Sequence, residues 1–133
     1  MDGCIFCKIA KGEIDSAKIY EDEKFFAFLD MRPLNPGHTL LLPKKHIDYI
    51  FDVGEPLYSE IFKTAKKLSK PIQNAVQSKR IGLAIEGFGV PHTHVHLIPI
   101  NNANEIDPRR AKKATTEELQ EVAEKIKREI KKI

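Results

Sequence analysis

Histidines recur at every second position from His92 to His96, with Thr93, Val95 and Leu97 alternating with them. This period-two pattern predicts a half-buried strand over 91–99 with the three histidines on one face. Pro91 and Pro99 suit its two ends, where a missing N–H breaks no ladder bond. Residues 18–21 and 24–30 read as a hairpin around the acidic turn Glu21-Asp22-Glu23, 38–43 as a buried third strand, and 81–85 as a fourth. Apolar residues recur at three- and four-residue spacing through Leu57, Ile61, Ala65, Leu68, Ile72 and Val76, which predicts a helix within 55–79. Pro71 is expected to kink or break it. Thr115 and Glu118 have capping-box spacing ahead of Leu119, Val122, Ile126 and Ile130, so a last helix is expected over about 116–131. The order strands, helix, strands, helix predicts an α+β fold with an antiparallel or mixed sheet, as a single domain over residues 1–133.

Composition narrows the classes. The 133 residues are 41% hydrophobic and 31% charged. Those are ordinary values for a globular chain with a real core. A net charge of +3, with much of the basic excess in the last quarter, does not describe a nucleic-acid groove but is compatible with a small anionic ligand. No apolar run approaches membrane-spanning length and no secretory leader precedes the first motif. Both cysteines fall within the first seven residues, too close for a secreted disulfide framework. A reducing, cytoplasmic setting is expected.

Three places carry chemistry. Cys4-Ile5-Phe6-Cys7 is half of a tetrahedral zinc site, a redox pair, or two free thiols. Ile5, Phe6 and Ile9 read as core or pocket-wall residues of a short helical turn. Asp30, at a strand end, is a turn former that is also placed to accept hydrogen bonds from a sugar diol. Gly87 and Gly89 open a loop that leads into the histidines, either an ordinary hairpin loop or a nest of N–H groups for phosphate. Same-face neighbours on a strand are roughly 6.6–6.8 Å apart, which puts His92 and His96 roughly 13 Å apart. Three histidines so spaced can hardly share one metal, so they must divide the work. The first end is the better metal candidate, because two thiolates and His46 otherwise want a fourth ligand. A neutral imidazole farther along can attack phosphorus, given donors for the charge that develops on the phosphate oxygens.

The run His92 to Ile98 resembles the signature of the histidine triad (HIT) superfamily, three histidines separated by mostly apolar residues. The segments Cys4-Ile5-Phe6-Cys7-Lys8-Ile9, Ala27-Phe28-Leu29-Asp30 and Pro36-Gly37-His38-Thr39-Leu40-Leu41-Leu42-Pro43-Lys44-Lys45-His46 extend the resemblance over roughly residues 3–100. It implies an antiparallel five-stranded sheet with two main helices, extended across a homodimer. It also implies a hydrolase acting at the α-phosphate of a purine nucleotide, as a nucleoside phosphoramidate or dinucleoside polyphosphate, through a nucleotidyl-histidine. By position, His94 would be the nucleophile, His96 would polarise phosphate oxygens, and His38 would help to orient the nucleophile. Asp30 would bind the ribose, while Ile5, Phe6, Ile9, Phe28 and Met31 would wall the base pocket. Zinc-bearing members imply a structural site at Cys4, Cys7, His46 and His92. Two amides and an arginine common in the family are Ile85, Phe88 and Ile100 here. N–H groups of Gly89 and Val90 are the expected replacement phosphate donors. The alternative implied by the missing amides is a nucleotide-binding or interaction module with little turnover.

Overall fold

Short apolar runs bounded by turn residues become the strands of one sheet. The computed structural model describes residues 3–133. The strands are β1 (Lys18–Glu21), β2 (Phe25–Leu29), β3 (Thr39–Pro43), β4 (Arg80–Ala84) and β5 (Val95–Ile100). The helices are α1 (Ile5–Ala10), α2 (Leu57–Val76) and α3 (Thr116–Ile130). The sheet order is β1-β2-β3-β5-β4, and each neighbouring pair is antiparallel. The expected α+β fold with a five-stranded antiparallel sheet is therefore the observed one.

Both sheet faces are apolar at the centre, which explains why β2 and β3 read as continuous hydrophobic runs rather than alternating ones. On one face Phe25, Ala27, Leu29, Leu41, Val95 and Leu97 pack under α2 and α3, whose Ile61, Leu68, Ile72 and Ile126 are fully buried. On the other face Phe26, Phe28, Leu40 and Leu42 meet α1 through Cys4, Phe6, Cys7 and Ile9. Register places Phe28, Leu40, His96 and Ala84 in one row across this second face. One histidine of the triad thus stands in line with the core of the α1 side.

Two expectations change. α2 runs unbroken through Pro71. A proline inside a helix costs roughly 3 kcal/mol. Leu68 and Ile72 flank it with no exposed surface. Full burial of such side chains is worth roughly 1.5–3 kcal/mol each, enough to hold the helix together. The strand predicted over 91–99 begins only at Val95. The N–H of His92 bonds to Val90 O (2.8 Å) and that of Thr93 to Ile47 O (2.7 Å), so neither joins the ladder. The Thr93 hydroxyl also donates to Ile47 O (2.7 Å), fixing this approach to the 46–50 loop. The predicted capping box forms as expected: the Thr115 N–H donates to the Glu118 carboxylate (2.9 Å) and the Glu118 N–H to Thr115 Oγ1 (3.1 Å).

Gly37 sets the start of β3 and hence the aim of His38. Its φ is +92°, and a Cβ there would lie 3.0 Å from Val76 Cγ1 and 3.1 Å from Pro99 Cγ. Gly12 has a similar φ of +79° but open space around it. Gly12→Ala is expected to cost about 1–2 kcal/mol of stability from backbone strain alone. Gly37→Ala should cost more, by roughly a further 1 kcal/mol, because crowding adds to strain. Urea midpoints read the difference; equal losses would show that crowding at Gly37 is absorbed without cost.

Candidate active site and metal centre

The irregular approach to β5 separates the three histidines into different surroundings. His92 has no exposed surface, and its Nε2 lies 2.8 Å from Pro43 O. A carbonyl only accepts, so Nε2 carries the proton and Nδ1 keeps its lone pair. That Nδ1 faces two sulfurs, Cys4 Sγ at 3.5 Å and Cys7 Sγ at 3.5 Å. His46 Nδ1 lies 3.3 Å from Cys7 Sγ. Ligand atoms of Cys4, Cys7, His46 and His92 all fall within 4.8 Å of one another. A tetrahedral metal with M–S of about 2.3 Å and M–N of about 2.0–2.1 Å would set its S and N ligands roughly 3.5–3.6 Å apart. The four residues therefore fit such an ion, with a carbonyl orienting His92 in the manner of an outer-shell partner. Burial pushes His92 down from the usual histidine range, keeping it neutral, and burial beside Cys4 pushes the Cys7 thiol up. Metal binding would have to displace the thiol proton.

His94 is held differently. Its Nδ1 lies 2.7 Å from the carbonyl oxygen of His92. Nδ1–H therefore donates, and Nε2 presents its lone pair. The ring is 7% exposed and rests against the edge of Phe6, with centroids 5.0 Å apart at 72°. The partner expected to orient His94 was His38. The structure gives that contact to the His92 carbonyl instead, and turns His38 toward His96.

The His38–His96 pair can be read proton by proton. Leu34 N–H donates to His38 Nδ1 at 3.1 Å. The proton of a neutral His38 is therefore on Nε2. That proton faces His96 Nδ1 at 2.9 Å. His96 Nδ1 accepts it, so the ring's own proton sits on Nε2. The His94 and His96 rings are adjacent, with centroids 5.1 Å apart. Burial, opposed by nearby Asp30, pushes His38 down to about 4. Burial also lowers His96, with His94 adding to the effect. Both rings are thereby kept neutral, as the donor–acceptor chain requires. Ligand atoms of Asp30, His38 and His96 also converge within 4.8 Å. There, however, His38 Nε2 is committed to its proton by the Leu34 contact, so this cluster is a hydrogen-bond relay rather than a metal cage.

The remaining predicted residues surround this centre. One carboxylate oxygen of Asp30 accepts from Arg32 N–H (2.9 Å), while the other lies 3.7 Å from His38 Nε2. Phe6, Ile9 and Phe28 are buried, whereas Ile5 (44%) and Met31 (62%) are exposed at the surface. In the loop before the triad, Gly87 has φ +88°, Phe88 is 94% exposed, Gly89 is exposed and Val90 is half-buried. Among the described residues, the N–H groups of 87–90 meet no acceptor. A cleft of about 500 Å³ opens beside His38 and His96 and is lined by Asp30, Arg32, Ile85, Ile106, Pro108 and Ala111 among others. Sequence reasoning missed the contribution of 106–111; its polar, irregular composition gave no signal that it folds over the sheet. No helix among the described residues is long and apolar enough to cross a membrane.

Comparison with known proteins agrees with this geometry. The HIT domain family matches residues 11–103. Protein hit of Bacillus subtilis is 39% identical over 105 residues, which span 74% of this chain and 71% of that protein. An adenosine 5'-monophosphoramidase of Candida albicans is 36% identical over 108 residues, spanning 72% of this chain and 69% of that enzyme. The crystal structure of a HIT-like protein involved in cell-cycle regulation from Bartonella henselae superimposes with a TM-score of 0.85 at 31% identity, covering 97% of this chain and 98% of that one. With the family match covering well over half the chain, the protein belongs to the histidine triad (HIT) domain family.

Proposed function

We propose that the chain is a nucleotide hydrolase that cleaves at the α-phosphate of a nucleoside phosphoramidate or dinucleoside polyphosphate. The observation that carries this reading is the tautomer of His94. Its Nδ1–H is fixed on the His92 carbonyl at 2.7 Å. That leaves Nε2 as the available nucleophile. Nε2 forms a bond to phosphorus as the bond to the leaving group breaks. The departing atom takes the electron pair and a proton from solvent, while His96 Nε2–H donates a hydrogen bond to the phosphate oxygens. Water then attacks phosphorus and gives up a proton to solvent, releasing the nucleoside monophosphate and restoring His94 with its Nε2 lone pair. His38 positions His96 by donating to its Nδ1, so it acts on the phosphate contact rather than on the nucleophile. The free N–H groups around Gly89 and Val90 take the phosphate oxygens. The free Asp30 oxygen takes a ribose hydroxyl, and Ile5, Phe6, Ile9, Phe28 and Met31 form the purine side.

The metal at Cys4, Cys7, His46 and His92 would be zinc in a structural role, because four protein ligands leave no position for water. It would fix His92, whose carbonyl holds the nucleophile. A homodimer would form across β4, an edge strand on which Leu83 is 45% exposed. Native mass spectrometry should find two chains and about one zinc per chain, with the zinc lost in Cys4→Ser/Cys7→Ser. A folded, metal-free monomer would remove both assignments.

The replacement of two amides by Ile85 and Phe88 keeps a second reading open, a nucleotide-binding module with little turnover. Turnover assays and alkaline quenching decide. An acid-labile, base-stable nucleotidyl adduct is expected on His94, and His94→Ala should lower kcat/KM by at least about 10³-fold. Nucleotide binding with neither turnover nor adduct would favour the binding module.

The relay also predicts a pH response. Ring ¹⁵N shifts should show His38 as a neutral Nε2–H tautomer at pH 7, protonating near its lowered value of about 4. The unfolded chain takes up this proton at about 6.5. The His38 contribution to stability is thus complete above that pH and is lost as pH falls toward about 4. A His38 midpoint at the ordinary value would contradict the assignment.

A further inference from the structure

The 101–114 connection runs from the end of β5 across the open part of the α1 face and is tied down at several points. Glu105 accepts from Asn102 N–H (2.9 Å), and Arg110 donates to Glu105 O (2.7 Å) and to Asn35 Oδ1 (2.9 Å). Farther on, Ala114 N–H donates to Met31 O (3.0 Å). Between these anchors, Ile106 lies directly on Gly82 of β4. A Cβ on Gly82 would come 2.5 Å from Ile106 Cδ1, so the absence of a side chain at Gly82 is what lets Ile106 approach the sheet this closely. Gly82 pairs with Ile98, on the same face as His96. Ile106, Pro108 and Ala111 thus form one wall of the cleft beside His96, facing Ala84, Ile85 and Ile98. His96 and His38 line this cleft and His94 does not.

We propose that Ile106, held on Gly82 and backed by Ala111, limits the size of the group that can leave from phosphorus. This rests on the hydrolase reading above: the cleft adjoins His96, the proposed phosphate contact, and not the nucleophile His94, so it lies on the side where a group leaving in line is accommodated. The wall of Ile98, Ile106, Pro108 and Ala111 is apolar, beside a polar lining of Asp30, Arg32 and Glu86, and the segment that carries it is held by hydrogen bonds at both ends, so this wall discriminates by shape. Bulk in the leaving group meets Ile106 and Ala111 before it can settle beside His96. The triad supplies the reaction in this arrangement, and the 105–111 segment supplies the selection.

The test compares two adenosine phosphoramidates, one releasing ammonia and one releasing 1-naphthylmethylamine. The readout is the ratio of their kcat/KM values, bulky over small. Ile106→Ala opens the wall and should raise the ratio roughly 10-fold, the scale expected for removing a few carbons from an apolar pocket. Ala111→Phe fills the same cleft from the next turn and should lower it by a similar factor of roughly 10. Opposite shifts in the two variants are the expected result, and they exclude a general loss of fold, which would move both substrates together. Ratios unchanged, or shifted in the same direction by both variants, overturn the inference while leaving the hydrolase reading intact. Failure of the unmodified protein to turn over either substrate overturns both.

Discussion

His92 connects three parts of the molecule. Its imidazole N–H is bound to the end of β3 through Pro43 O, its other ring nitrogen faces the thiols of the N-terminal segment, and its backbone carbonyl holds the ring of His94. All of this happens in a residue with no exposed surface. Buried polar groups must be paired to be tolerated, and here the pairing also conveys position. The aim of His94 therefore depends on a backbone atom whose own placement depends on the Cys4–Cys7 segment. A structural metal at that point would act on chemistry several ångströms away without touching it.

The two faces of the sheet have different tasks. The α2–α3 face is the larger apolar cluster and supplies most of the burial. The α1 face is smaller, mixes apolar residues with histidines, and stays partly open where 101–114 crosses it. On this face the relay Leu34 N–H to His38 to His96 gives each ring one direction of donation. Burial lowers both imidazoles and so preserves the order of protons that a charged histidine would destroy. Three like residues two positions apart thereby become a ring facing two thiols, a ring with a free nitrogen lone pair, and a ring with a free N–H.

Much of this was legible in the chain. The capping box at Thr115 and the apolar spacing of α2 are local patterns. Each follows from side-chain direction in a helix, so they placed α2 and α3 close to their observed bounds. The convergence of Cys4 and Cys7 with His46 and His92 is what the resemblance to zinc-bearing family members implied. Pro71 misled because local propensity counts the lost bond and not the burial of Leu68 and Ile72 around it. The strand limits around the triad misled because the hydrogen bonds of His92 and Thr93 go to Val90 and to the 46–50 loop, which no periodicity in 91–99 encodes.

Residue identity and spacing determined which groups could do chemistry: two thiols, five histidines, one strand-end carboxylate and a glycine-bearing loop. Only the tertiary structure decided which nitrogen of each ring is free. That choice depends on a single acceptor or donor 2.7–3.1 Å away, and those partners come from Pro43, Leu34 and the bent backbone of His92. It also decided that the irregular 105–111 segment lies against Gly82 and faces His96, because a segment without periodicity has no preferred face until the sheet and the Asn35 loop supply one.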